Sequence, residues 1–358
     1  MKKILVIASV MLLGMVAANA AGTAAGTQID NSATLSYQVS GVNQTAVASN
    51  TDSFLVDNKI DFTVAHQDST AVSVVPGQTS AVLTFTVANN GNKVQDFSLS
   101  SLANDGNPFG ETDNFDATNV QVFVDSNGNG VYDSGTDTAT FIDELAPDTN
   151  VTVFIVSDIP NTRVDGDVAE YTLIAQVAEG GASGSQGADI TADASGTADN
   201  AMNEENVFAD GAAAGTGSSA DILHDGKHSD NDAYKVVTAK IDVTKTSCVI
   251  WDPVNTTTNP HRIPGAVVRY AIDVNNTGSA AATSASLSDT LSGDVTFGAT
   301  TAGAPAAVSR IATETCNCTA PGASNGDTVS EAGGVVTANY GTVAAGTHEC
   351  AYFDVTIN

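Results

Sequence analysis

Pro76-Gly77-Gln78-Thr79-Ser80-Ala81-Val82-Leu83-Thr84-Phe85-Thr86-Val87-Ala88-Asn89-Asn90-Gly91 has a counterpart far along the same chain, Pro264-Gly265-Ala266-Val267-Val268-Arg269-Tyr270-Ala271-Ile272-Asp273-Val274-Asn275-Asn276-Thr277-Gly278. In each, a Pro-Gly turn launches a run with apolar residues on one face, and an Asn-rich turn with Gly ends it. A second pair agrees. Leu145-Ala-Pro-Asp148 leads into Val151-Thr-Val-Phe-Ile-Val156, as Val343-Ala-Ala-Gly346 leads into Ala351-Tyr-Phe-Asp-Val-Thr-Ile357. Two related modules follow from this repetition.

Around these anchors the first module offers strands at 60–65, 70–75, 81–88, 94–99, 120–124, 138–142, 151–156 and 168–177. The second offers them at 236–244, 267–274, 285–287, 295–297, 335–340 and 351–357. Short alternating runs punctuated by Gly, Asn, Asp and Pro, without helical periodicity, predict packed antiparallel sheets. The expected fold is all-β, with tandem immunoglobulin-like β-sandwich modules after a cleaved signal peptide. Residues 1–20 are the signal, 21–58 an N-terminal β-hairpin or arm, 59–179 the first sandwich, 180–235 a Gly/Ala/Asp-rich linker or insertion, and 236–358 a disulfide-bonded second sandwich. The hairpin, over 28–39 and 43–49, either extends the first module's sheet or adds to an open edge of a neighbouring molecule.

Met1-Lys2-Lys3, the apolar run from Ile4 to Leu13 and the small residues Ala18-Asn19-Ala20 form a secretory signal, with cleavage expected after Ala20. No other stretch is long and apolar enough for a membrane span, and no lipid-accepting Cys stands near the cleavage point. Export to the cell surface, the extracellular space or the periplasm is expected. The formal net charge of −29, with 12 Lys and Arg against 41 Asp and Glu, argues against a nucleic-acid partner, which needs clustered basic residues. Such acidity favours solubility and divalent cations instead.

One loop has cation-binding spacing. Asp125-Ser-Asn-Gly-Asn-Gly-Val-Tyr-Asp-Ser-Gly-Thr-Asp137 places oxygens at Asp125, Asn127, Asn129, Asp133 and Asp137, with the Val131 carbonyl as a sixth ligand and Gly130 at the bend. A hard cation such as Ca2+ takes six to eight oxygens, and alternate residues of a tight turn supply them. The twelfth position, a bidentate Glu in the helix-loop-helix hand, is Thr136 here, and strands flank the loop, so a strand-loop-strand calcium site is expected. A long Asn/Gly/Asp hairpin turn that binds nothing is the plainer alternative. Two Asn among the ligands place the affinity in the weak range of extracellular modules, about 10⁻⁴ to 10⁻³ M.

Cys248, Cys316, Cys318 and Cys350 predict two disulfides in an oxidising compartment, with Cys316 and Cys318 each pairing to Cys248 or Cys350 in either order. A zinc site using these thiols with His261 or His348 is the alternative. Trp251 reads as a core aromatic near a disulfide. Asp221-Ile-Leu-His224-Asp-Gly226-Lys-His228-Ser-Asp-Asn-Asp232 reads as a solvated loop that either binds a cation or binds nothing.

Ile241-Asp-Val-Thr-Lys245, the strand from Pro264 to Gly278, and Leu287-Ser-Asp-Thr-Leu291 before Val295-Thr-Phe297 resemble the conserved-repeat surface proteins of bacteria and archaea, the domain-of-unknown-function-11 class. The resemblance implies immunoglobulin-like sandwiches in series on cell surfaces, secreted matrices or sheaths, with no catalytic residues to carry over. No enzyme is expected. The single Gly-x-Ser-x-Gly, Gly322-Ala-Ser324-Asn-Gly326, lies in a Pro/Gly/Asn loop without the strand and helix of a nucleophile elbow. The expected role is a calcium-stabilised structural protein, a subunit of a filament, sheath or surface layer, with copies of itself or other surface components as partners. An adhesin or carbohydrate-binding module is the alternative, and the sparse aromatics, at Phe85, Phe123, Phe154, Tyr171, Tyr270 and Tyr352, lie in predicted strands where core packing is the default.

Overall fold

The computed structural model describes residues 22–103, 108–190, 199–212 and 222–358. The predicted signal peptide lies outside them. No helix occurs among the described residues, and the chain is an all-β protein whose sheets have a sandwich-like arrangement. It divides into two compact units. The first comprises Met1–Val72, Thr79–Asp158 and Val168–Tyr234; the second comprises Ser73–Gln78, Ile159–Asp167 and Lys235–Asn358.

The chain begins with a ribbon made of β1 (Gln28–Asn31), β2 (Thr34–Leu35), β3 (Gln38–Val39), β4 (Val42–Asn43), β5 (Val47–Ala48) and β6 (Asp52–Leu55). Among the described residues these strands pair only with one another, β1 with β6, β2 with β5 and β3 with β4, around a turn at Ser40 and Gly41 whose φ values are 51° and 87°. Positive φ at both central residues matches the twist of a tight hairpin. The sequence expectation that this hairpin extends the first sandwich is corrected: it is a separate two-stranded structure.

Next come β7 (Asn58–Ile60), β8 (Phe62–His66), β9 (Val72–Val74), β10 (Ala81–Asn89), β11 (Gln95–Ala103), β12 (Thr118–Val124), β13 (Phe141–Leu145), β14 (Thr149–Asp158), β15 (Val168–Glu179), β16 (Asn206–Phe208) and β17 (Lys227–Val236). One sheet has the order β12-β14-β10-β8, a second the order β13-β11-β15-β17-β9, and β16 pairs in parallel with β7. Strand β10 buries every second residue, Ala81, Leu83, Phe85 and Val87, as period two requires of a strand with one core face. Phe62, Phe97, Val153, Ile155 and Leu173, all fully buried, fill the same core.

The second unit contains β18 (Ile241–Trp251), β19 (Val267–Asn276), β20 (Ala282–Thr290), β21 (Val295–Phe297), β22 (Ser309–Ala312), β23 (Thr328–Ala332), β24 (Val335–Val343) and β25 (His348–Ile357). Its sheets run β18-β19-β25-β21, with β22 also on β25, and β20-β24-β23. Ala351, Phe353 and Val355 of β25 face a core with Ile272, Val336 and Tyr340. The other face, through Cys350 and Tyr352, packs with Ala271, Ala312, Cys316 and Cys318. On that face Arg269 makes a bidentate pair with Asp354, at 2.7 and 3.0 Å, with both side chains buried.

Cys248 pairs with Cys318 and Cys316 with Cys350, with Cα atoms 6.0 and 5.3 Å apart. This selects one of the two connectivities open from sequence. It also corrects the zinc alternative, since no cysteine is left free, while His348 Nδ1 lies 3.1 Å from an Asp273 oxygen. Trp251 is buried, as expected.

Two other expectations change. A strand over 236–244 is corrected: β17 ends at Val236, and β18 begins at Ile241. The loop expected from His224 to Asp232 is corrected too, because Lys227–Val236 is a strand with nearly every side chain buried, so the C-terminal end of the supposed 180–235 linker belongs to the first unit. Its polar residues are tolerated inside because neighbouring strands supply partners; His228 Nδ1, for example, accepts the Val64 N–H at 3.1 Å.

The repeated stretches carry the same hydrogen bonds in both units. Asn89 Nδ2 donates to the Lys93 and Leu145 carbonyls and its Oδ1 accepts from Gly91 N–H. Asn276 Nδ2 donates to Ala280 and Val343, and its Oδ1 accepts from Gly278 N–H. The backbone carbonyls of the two Asn accept from Asp148 and Gly346, residues with φ of 59° and 67°. Gly91 and Gly278 are fixed by close approach: a Cβ would collide with the Lys59 carbonyl in one unit and the Thr238 carbonyl in the other. Asn276→Ala removes a buried side chain and strands its partners, and is expected to cost the second unit about 2 kcal/mol or more in denaturant unfolding followed by Trp251 fluorescence. A cost near zero would show that the asparagine does not hold the strands together.

Candidate metal centre

The loop with cation spacing joins β12 to β13. Both of its ends are tied down. Asp125 N–H donates to Thr152 O and Val124 N–H to Ala139 O, which fixes the stem against β14. Asp125, nearly buried, accepts from Gly128 N–H at 2.7 Å and Gly130 N–H at 2.7 Å. Those donors turn inward because Gly128 and Gly130 adopt φ of 71° and 76°, a region that favours glycine. Asp137, also buried, receives Ser126 N–H at 2.9 Å and Asp133 N–H at 2.7 Å, and so closes the loop from its far end.

The middle of the loop is solvent-exposed. Asn127 and Asn129 both donate side-chain N–H groups to one Asp133 oxygen, at 3.0 and 2.6 Å, while their own Oδ1 atoms accept from Asn129 and Val131 N–H. Thus Asp125, Asn127, Asn129, Asp133 and Asp137 belong to one hydrogen-bonded loop, and the Val131 side chain points to solvent at 62% exposure. The donor set, three carboxylates and two amides without sulfur or imidazole, has the chemistry of a hard cation. In this arrangement the amide N–H groups lie against Asp133, and a half-turn of each amide exchanges nitrogen for oxygen.

A tighter acidic group lies elsewhere. Asp57, Asp199 and Glu205 offer carboxylate oxygens that all lie within 4.8 Å of one another, a closeness that the loop carboxylates do not reach. The parallel pairing of β7 with β16 sets Asp57 beside Glu205, whose N–H donates to Asp57 at 3.0 Å. No sequence signal marked it, since its residues come from segments that no spacing connects.

Other chemistry considered from sequence finds little support in position. Ser324 is exposed, and its Oγ accepts only from Gly326 N–H at 3.2 Å in an irregular loop. His224 and His228 lie in different settings, one exposed at φ 64° and one buried in β17. Phe85, Phe154, Tyr171 and Tyr352 are buried; Phe123 stacks on Tyr132 at 5.4 Å, and Tyr270 lies under Lys245 Nζ at 4.2 Å.

Glu170, on β15, is buried with Oε1 unpartnered among the described residues. Burial first, then the Asp113 and Glu111 carboxylates, push its carboxyl up to about 7. The folded chain therefore keeps this proton between the ordinary carboxylate range and about pH 7, where the unfolded chain has lost it, so stability falls as pH rises through that window. Glu170→Gln should remove this fall: its melting midpoint should exceed that of the parent above pH 7 and match it near pH 4, whereas equal pH profiles would refute the assignment. No protein-family model matches this chain, and no curated protein matches it.

Proposed function

We propose that this chain is a non-catalytic, exported structural protein of the cell surface or extracellular matrix, stabilised by calcium and assembling with copies of itself into a filament, sheath or surface layer. The observation that carries this reading is the ribbon over residues 28–55. Leu35, Tyr37, Val39, Val42 and Val47 on it are all exposed, and no charged residue stands between Asp30 and Asp52. A two-stranded hairpin alone in water is only marginally stable, so a ribbon of this length calls for a partner surface. In a chain of net charge −29, copies repel one another almost everywhere, and an uncharged apolar segment is where approach costs least.

One feature supports the exported setting. The second unit holds two disulfides, which persist in oxidising compartments. Among the described residues no helix is long and apolar enough to cross a membrane.

In this reading calcium is held by Asp125, Asn127, Asn129, the Val131 carbonyl, Asp133 and Asp137. It neutralises carboxylates that otherwise repel across a Gly-rich loop, and it stiffens the stem between β12 and β13. At about ten times its dissociation constant, calcium adds about 1.4 kcal/mol. Melting curves with millimolar calcium and with chelator should differ, and Asp137→Asn should lose the loop's share of the shift; an identical calcium response in parent and variant would sink the site.

Assembly is tested separately. Leu35→Lys with Val42→Lys places charge on exposed ribbon positions without touching either core. Sedimentation velocity and negative-stain microscopy should show multimers of the parent chain and monomers of the double variant. A parent that stays monomeric at high micromolar concentration with calcium, or a variant that assembles equally, would overturn the proposal.

A further inference from the structure

Strand β17 carries acid into the first unit's interior. Asp232 is fully buried; one oxygen accepts Ala233 N–H at 2.7 Å, and the other, Oδ2, is buried without a partner among the described residues. Asp68, which follows β8 on the facing sheet, has a buried, unpartnered Oδ2 of its own, and it continues the step by which Val64 meets His228 and His66 meets Asp230, which brings it beside Asp232. Ionised carboxylates only accept. Two of them cannot face each other unless something positive lies between.

Beside this pair is a third carboxylate already held in place. Asp230, two residues before Asp232 and on the same face of β17, receives His66 N–H at 2.8 Å and lies 2.8 Å from His66 Nδ1. The His66 ring is partly exposed and packs edge-on against Phe109 at 5.6 Å, so the cluster lies near the surface at the edge of the sandwich. From the other packed elements, β15 contributes Tyr171, whose ring meets Tyr234 of β17 at 6.0 Å, and His228 is committed to Val64 N–H. None of these ion-pairs with Asp68 or Asp232.

We propose that Asp68 and Asp232, with Asp230 oriented by His66, form a second site for a hard divalent cation of the calcium class, inside the first unit and independent of the 125–137 loop. The two neighbouring carboxylates of Asp68 and Asp232, with Asp230 alongside and no soft donor, select oxygen-seeking ions over zinc or copper. The cation takes the position between the facing oxygens and bridges β17 to the segment after β8, tying the two sheets together at an edge where they share no backbone ladder.

The test is calcium titration calorimetry on the mature chain carrying Asp125→Asn and Asp137→Asn, which disable the loop. This parent should still bind one equivalent of calcium, and adding Asp232→Asn should abolish that equivalent while leaving circular dichroism unchanged. Asp68→Asn serves as the second variant should Asp232→Asn misfold, and is expected to weaken binding at least tenfold. A loop-disabled chain that binds no calcium overturns the proposal. So does a residual equivalent untouched by Asp232→Asn or Asp68→Asn, which would point to Asp57, Asp199 and Glu205 instead. Failure of the loop reading shows differently, as equal stoichiometry before and after the loop substitutions.

Discussion

Each unit depends on a buried asparagine at the end of a central strand. Asn89 and Asn276 are fully buried, and each satisfies its side chain by gripping a strand that arrives from a distant part of the sequence, through the carbonyl of Leu145 or Val343. A buried amide left unpaired is costly, so this geometry has few substitutes. It sets where the following turn begins, and hence the nine-residue registers of β10 on β14 and β19 on β25. Those two ladders then place much else: the 125–137 loop leads from β12, which pairs with β14, to β13 at the edge of the other sheet, and the disulfides cover the far face of β25.

Much of the architecture is legible in the sequence because it is written in local chemistry. Alternation in β10 and β14, Pro-Gly entry turns and Asn-x-Gly exits require no knowledge of the partner strand. The Asn-Gly repetition even marks the clamp. Strand β17 is illegible for a physical reason: His228, Asp230, Asn231 and Asp232 look like solvent residues, and only the strands that close over them make burial tolerable. The cysteines announce two bridges, but their connectivity depends on loop placement. Likewise the 125–137 spacing shows in the sequence, whereas Asp57, Asp199 and Glu205 come together only through a parallel pairing, β7 with β16, that no pattern predicts.

Acidity is distributed with a logic of its own. Most described carboxylates are exposed or half-buried, and most of those inside are bonded to backbone N–H groups, as Asp125 and Asp137 are, or to a guanidinium, as Asp354 is. Asp252 belongs to the first kind: burial raises its carboxyl, but the N–H groups of Asn255, His261 and Val254 outweigh that and hold it at about 2. Asp232, Asp68, Glu170 and Asp210 depart from the pattern, each with a buried oxygen that nothing bonds among the described residues. The ribbon is the complementary exception, with no charged residue between Asp30 and Asp52.

The position of β25 governs the order in which the second unit can be made. It lies between β19 on one side and β21 and β22 on the other, so that sheet cannot close until residues 348–357 have emerged. Until then β19 has only β18 as a neighbour, and Cys316 waits for Cys350 while Cys248 and Cys318 are both already present. A chain made from its N-terminus therefore stays open in this unit until β25 arrives. Whatever oxidises its thiols meets three cysteines before the fourth has appeared to sort them.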